Sequence, residues 1–294
     1  MGIRILSRQP ISKGWSSDQK YKVEFEDGRF GLLRIADLTA LEGKQSEFSL
    51  MQKLAKKGCP ISKPLDFWTD ATCVYSVFEW IDGQDMLDVA AVLSDQELYD
   101  LGYQAGHFLR TLHSLPIDQA ERDWDTFYQA KIDQKIAAYL ASRHFYKSGQ
   151  EMIDFVQANR HLLSQRPIAY QHGDFHTGNF LLGEDGHLKI LDFDRQDMGD
   201  PWEEFNRIIF TASLSSAFAC GQIDSYFEEN IPKEFWTLLA LYLTVNSLGA
   251  LSWAEKVDSA QVPLMKEQAE LLGQWFGGYK KIIPTWYSKM NKKR

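Results

Sequence analysis

The sequence predicts an α+β fold in two lobes: a small antiparallel β-sheet lobe with one helix over residues 1–83, and a larger, mostly helical lobe over residues 84–294. Three observations carry that prediction. Up to residue 83, apolar and polar residues alternate between turn signals; beyond Gly83 the apolar spacing becomes helical; and one polar hairpin around residues 170–192 interrupts the helices. With 294 residues, 44% of them apolar, the chain can bury a large core, and its length favours two lobes over one.

The elements follow in order. "KYKVEFEDG" runs through an Asp-Gly turn into "RFGLLRIAD", a hairpin signal, and "ISKGWSSDQ" joins the first strand to that hairpin as a tight loop at Gly14. From Thr39 the spacing predicts a helix. Thr39 and Glu42 form a capping box, Leu41, Phe48, Met51 and Leu54 make its apolar stripe, and Gly58 to Pro60 stop it. "CVYSVFEWIDG" is a β-rich run closed by Asp82 and Gly83. A second capping box, Ser94 with Glu97, opens a helix whose stripe is Leu98, Leu101, Ala105, Phe108 and Leu112. His113 near its end reads as a helix-terminal or core residue. "FLLGEDGHLKILDF" folds back on itself at Glu184-Asp185-Gly186, and from Trp202 helices resume almost to the end.

Composition narrows the setting. Cys59, Cys73 and Cys220 give an odd number without a CxxC pair, so no disulfide framework is expected and a reducing compartment suits the chain. The start has no apolar segment of signal-peptide length, and Leu6 stands where a myristoylation motif needs Ser or Thr, so a cytoplasmic protein is expected. Residues 235–254 carry no charge over twenty positions, but Thr244, Asn246, Ser247 and Ser252 would be costly in lipid, which predicts a buried helix and no membrane partner. Of the net charge of -8, residues 1–83 hold +1 and residues 84–279 hold -15, the last fifteen residues being basic. So acidic a surface argues against nucleic acid and is compatible with a cationic ligand.

The chemistry concentrates in "YQHGDFHTGNFLL", residues 170–182. Asp174 and Asn179 are five apart, and a hairpin of the following length returns Asp192 to the side of Asn179. An amide oxygen and a carboxylate without a thiolate suit a hard cation that keeps its waters and binds phosphate, magnesium rather than zinc. Asp174, not a ligand, is then placed to accept or orient a hydroxyl proton. An Asp, four residues, an Asn and a strand-borne Asp make the phosphoryl-transfer template.

"HGDFHTGN" followed by "ILDFDRQDMGDPWEE" resembles the aminoglycoside phosphotransferase and choline kinase superfamily, whose His-Gly-Asp replaces the His-Arg-Asp of protein kinases. The resemblance implies a bilobal protein-kinase-like fold with a nucleotide-binding N-terminal lobe. It implies Asp174 as catalytic base, Asn179 and Asp192 as magnesium ligands, and ATP as co-substrate. His172 and His176 belong to the motif, His176 ordering the loop. Gly199-Asp200-Pro201 matches the lead into the next helix, and Glu204 stands where the family usually has aspartate. Asp192-Phe193-Asp194 departs from the Asp-Phe-Gly of protein kinases, which argues against their activation-loop switch.

For the nucleotide, the resemblance points to Gly14, Ser16 and Ser17 as the phosphate loop, to Arg34 at the position of the kinase lysine, and to Glu47 as its ion-pair partner. Backbone groups of Glu79 and Ile81 are expected at the adenine. The acceptor is expected to be a small hydroxyl compound, an aminoglycoside or another cationic amino-alcohol, with Asp197, Glu203, Glu228 and Glu229 as candidate lining acids. Choline, sugars and amino-acid-like metabolites are alternative acceptors. A polar surface turn, a metal-dependent phosphohydrolase and a catalytically silent nucleotide-binding protein remain open as other readings. A calcium loop over residues 192–203 is disfavoured because Asp197 occupies the place of the obligatory glycine. A zinc site from His172 and His176 has no third soft ligand.

Overall fold

The computed structural model describes residues 3–12, 18–117 and 122–288. They divide into two compact units, one formed by residues 1–91 and 178–196, the other by residues 92–177 and 197–294. The first unit therefore runs past the expected boundary at Gly83 and takes in a second stretch of chain.

In the first unit, β1 (Ile5–Ile11), β2 (Gln19–Phe25), β3 (Phe30–Asp37), β4 (Pro64–Thr69) and β5 (Cys73–Glu79) form an antiparallel sheet in the order β1-β2-β3-β5-β4. Alternation sets its faces: Val23, Leu33 and Val77 are fully buried on one side. The turn between β2 and β3 uses Gly28 at φ +79°, a left-handed conformation that glycine adopts without steric cost. Helix α1 (Leu41–Lys56) packs on β4 and β5 through Phe48, Met51 and Leu54, and ends before Gly58 at φ +73°.

The capping box expected at Thr39 and Glu42 does not form. Asp37 takes the cap instead, its carboxylate accepting from the Thr39 N–H at 2.9 Å and from the Thr39 hydroxyl at 2.6 Å. A short 3-10 turn, Leu38–Ala40, follows, and α1 begins without a side-chain cap of its own. The carboxylate two residues upstream captures the hydroxyl that the capping box needed.

The rest of the first unit explains its composition. β6 (Gly83–Asp85), which precedes the short α2 (Met86–Val89), pairs with β8 (Phe180–Gly183), and β8 pairs with β9 (Leu188–Ile190). The predicted hairpin is thus the far edge of a three-stranded sheet begun by residues just beyond Gly83.

The second unit is helical. It holds α3 (Asp95–His113), α4 (Trp124–Leu140), α5 (Gly149–Asn159), α6 (Ile208–Leu214), α7 (Ser216–Tyr226), α8 (Lys233–Val257) and α9 (Val262–Trp275), with a two-stranded ladder of β7 (Ala169–Gln171) and β10 (Asp197–Gly199). The Ser94–Glu97 capping box of α3 is present, and its five predicted stripe residues are buried. Helices α3 and α7 approach at backbone contact: a Cβ on Gly102 would lie 2.0 Å from the Phe218 carbonyl oxygen, and one on Gly221 2.1 Å from that of Tyr99. Helix α8 is long and apolar enough to cross a membrane, but 78% of its apolar window is buried within the protein. It packs between α4, α5 and α9 in a core that includes Ile132, Met152, Leu241, Val245 and Ala269.

Candidate active site

In the second unit the His-Gly-Asp loop leaves β7, which pairs with β10 through Gln171 and Asp197. His172 is fully buried, its ring edge-on to Phe175, which stacks on Phe108 of α3. Gly173 takes φ +82°, a turn that a side chain would strain. Glu204, also buried, holds this turn: its two carboxylate oxygens accept from the main-chain N–H groups of His172 at 2.5 Å and Gly173 at 3.0 Å. The Asp174 N–H donates to His172 Nδ1 at 3.3 Å. The Asp174 carboxylate then lies 3.1 Å from Arg207 Nε and 3.7 Å from His176 Nε2, and the His176 ring leans on Phe210. Both histidines of the motif thus contact residues of the loop or its surroundings; the clamp by Glu204 and the cation near Asp174 were not foreseen.

In the first unit the β8–β9 hairpin sets the other two polar groups. Its register pairs Phe180 with Ile190, and the Leu191 N–H donates to the Asn179 carbonyl at 2.9 Å. Asn179, the last residue of a 3-10 turn, and Asp192 therefore lie just beyond the open end of the ladder, one on each side of the hairpin. Asp192 has φ +63°, outside the range of an ordinary strand residue. An amide oxygen and a carboxylate are the donor types that suit a hard divalent cation.

The expected Arg34–Glu47 pair forms, and it is part of a larger cluster. Arg34 Nη1 donates to Glu47 Oε1 at 2.8 Å, Nε to Asp18 at 2.9 Å and Nη2 to Asp194 at 2.8 Å. Lys44 joins from α1, its ammonium 2.7 Å from Asp18, 3.5 Å from Glu47 and in contact with Asp194. Burial works against the Arg34 charge, but Glu47, Asp18 and Asp194 outweigh it and raise its pKa above the usual arginine value. The guanidinium is fixed in place as a permanent cation. Lys44 stands three residues before Glu47 on the same helical face, a spacing visible in the sequence.

Other expected positions fare differently. Gly14, Ser16 and Ser17 lie outside the described residues. At Glu79 the main chain is largely committed, its N–H donating to the Lys63 carbonyl at 2.8 Å and its carbonyl accepting from the Ser62 hydroxyl at 2.5 Å. Asp200 is a buried anchor. It takes two bonds from Arg166, at 2.6 and 3.0 Å, one from the Tyr242 hydroxyl at 2.5 Å and one from the Trp202 N–H at 2.9 Å.

Three of the four acids expected along the acceptor have ion-pair partners. Asp197 pairs with Arg122 at 2.8 Å, and Glu228 meets Arg110. Glu203 is buried, 3.1 Å from Lys131 and 3.3 Å from the Gln171 amide, so it is an internal ion-pair member and not an open wall. Glu229 sits in a left-handed turn after α7, its N–H bonded to the Asp224 carbonyl at 2.8 Å.

The strand order of the first unit and the helical second unit define the protein-kinase-like phosphotransferase fold. The sequence matches the phosphotransferase enzyme family, abbreviated APH, over residues 7–239, and the chain belongs to that family. Among solved structures it is similar to the aminoglycoside phosphotransferase APH(4)-Ia, with a TM-score of 0.65 and 17% identity, covering 92% of this chain and 93% of that one. It is also similar to a choline/ethanolamine kinase family protein from Mesorhizobium loti, with a TM-score of 0.65 and 16% identity over 94% and 91% of the two chains. The amicoumacin kinase hAmiN, solved with AMP-PNP, Ca2+ and Ami, gives 0.64 and 16% over 95% and 90%. No curated protein matches the sequence.

Proposed function

We propose that the protein is an ATP-dependent phosphotransferase that moves the terminal phosphate to a hydroxyl of a small molecule, with magnesium as its metal. The observation that carries this reading is that Asn179 and Asp192 flank the open end of a hairpin that directly follows the clamped Asp174 loop in the chain. Their two oxygens would hold the cation, which when bound neutralises phosphate oxygens. ADP with hygromycin B, and AMP-PNP with Ami, appear in structures of the same fold, which supports a nucleotide donor and a small acceptor.

The chain's own residues divide the remaining work. Arg34, held by Glu47, presents fixed positive charge to the phosphates, with Gly14, Ser16 and Ser17 as the loop over them. The adenine edge falls to the main chain of Ile81, whose N–H and C=O meet no partner among the described residues, and to the second lone pair of the Glu79 carbonyl. Asp174 orients the acceptor hydroxyl and takes its proton as the new O–P bond forms and the bond from the terminal phosphorus to the leaving nucleoside diphosphate breaks, while Arg207 keeps a positive charge 3.1 Å from the carboxylate. The transition state is loose, so positioning and charge compensation supply most of the rate. The acceptor is an amino-bearing hydroxyl compound or a sugar- or amino-acid-like metabolite; the paired acids described above give no support to the cationic choice.

ATP consumption with magnesium across a panel of hydroxyl compounds tests the proposal. Asp174→Ala should keep Mg-ATP binding and lose about two to four orders of magnitude in turnover. A near-normal rate in that variant would remove Asp174 from the mechanism, and nucleotide binding without turnover on any acceptor would favour the silent reading.

A further inference from the structure

Within the second unit, Lys135 lies close enough to Lys131 and Arg207 to be repelled by both, and these three cations outnumber the carboxylates paired with them. Arg207 attends Asp174 at 3.1 Å, and Lys131 attends Glu203 at 3.1 Å. Lys135, one helical turn beyond Lys131 on α4, has no carboxylate within 4.0 Å among the described residues. Its ammonium reaches only the Asn246 amide oxygen of α8, at 3.4 Å. Room for it is built in: a Cβ on Gly249 would stand 2.9 Å from both Cδ and Cε of Lys135, so the missing side chain lets the lysine stem lie across α8. Beside Arg207, the Asn206 amide oxygen is buried with no hydrogen-bond partner among the described residues.

An unpaired, half-buried ammonium is costly to keep. Burial, with the repulsion of Lys131 and Arg207 exceeding the attraction of Glu203, lowers the Lys135 pKa to about 8. Structural lysines ordinarily avoid that environment by reaching water or a carboxylate.

We propose that the acceptor bears an anionic oxygen group, a carboxylate or a phosphate, and that Lys135, positioned by Gly249 and Asn246, receives it. The inference rests on the phosphotransferase reading for the word acceptor. It replaces the cationic acceptor suggested by overall charge, because the local balance around Lys135 is positive although residues 84–279 sum to -15. Electrostatics at a site follows the near charges, and distant surface acids are screened over roughly 8–10 Å.

Lysine acylation of the intact protein, mapped by mass spectrometry, reads the site without a known substrate. Acetate and inorganic phosphate are the two anionic probes, compared at equal ionic strength with sodium chloride and tetramethylammonium chloride. Protection of Lys135 severalfold by acetate or phosphate, and not by tetramethylammonium, is expected; which anion protects separates the carboxylate from the phosphate source. No protection by either anion beyond chloride, or equal protection by tetramethylammonium, overturns the proposal.

A kinetic arm uses the acceptor found by the ATP screen. Lys135→Gln should raise its KM tenfold or more with Mg-ATP binding unchanged, and Lys135→Arg should restore most of the loss. An unaltered KM in Lys135→Gln overturns the proposal as well. The two readings fail separately: absence of Mg-dependent ATP binding defeats the phosphotransferase reading, whereas ATP binding with an unprotected Lys135 defeats only this one.

Discussion

Glu204 shows how one side chain governs a motif it does not belong to. Both of its oxygens accept from main-chain N–H groups of the His172–Gly173 turn, so the loop that carries Asp174 depends on a full carboxylate. Glu204→Gln turns an NH2 toward one of those donors, and leaving a buried donor unmatched costs about 1–3 kcal/mol. The expected outcome is a lower denaturation midpoint together with a kcat reduced roughly tenfold to hundredfold and a nearly constant KM for ATP, by the logic that loop misplacement harms the step and not the binding. An unchanged kcat would detach Glu204 from the site. Lys135 makes an opposite prediction. Folding lowers its pKa from 10.5 to about 8, so between those values the folded chain holds fewer protons than the unfolded one and stability rises with pH. Below pH 8 the whole cost persists, on the order of 1–3 kcal/mol after allowance for partial exposure. Lys135→Met should therefore be more stable than the natural protein in urea at pH 7, with the advantage shrinking toward pH 10.5. No gain at pH 7 would mean that the ammonium is fully solvated.

At the scale of the element, the start of α1 separates a motif from the contacts that realise it. Asp37 draws its hydrogen bonds from Thr39, and these lower the pKa of its carboxyl. That stabilisation is present above the ordinary aspartate value and is lost as pH falls through the lowered one. Asp37→Ala should reduce the midpoint of thermal unfolding at pH 7 more than Glu42→Ala, and the difference should vanish in acid. Equal effects would restore the Thr39–Glu42 box. The β8–β9 hairpin was readable in the sequence because its pattern is local: alternation, a Glu-Asp-Gly turn and a length that dictates register. The Asp37 cap was local too, but two overlapping capping signals competed there and propensity does not rank them.

For the whole molecule, what sequence alone revealed follows the range of the interactions. The order of strands and helices and the positions of Asp174, Asn179 and Asp192 rest on short-range pattern and spacing. Lys44, Glu204 and Arg207 acquire meaning only when distant segments meet: Glu204 reaches back about thirty residues to the loop it holds, and Lys44 finds Asp194 across 150 positions. No period or turn signal encodes such a meeting. Charge misled for the same reason, since a sum over 196 residues says little about the few that face a ligand. A global readout remains useful for the metal and nucleotide. Mg-ATP at a hundredfold excess over its Kd should stabilise the folded chain by about 2.7 kcal/mol, seen as a higher melting temperature that EDTA reverses. A shift of the same size from ATP with EDTA would deny magnesium its place.

The left-handed backbone at Asp192 bears on whether the chain has kept its chemistry. Glycine would accept φ +63° without the Cβ penalty, and asparagine nearly as well, so aspartate here is the less comfortable choice for the fold. A carboxylate standing where glycine would be easier on the backbone is explained by a task for that carboxylate and not by the needs of the fold.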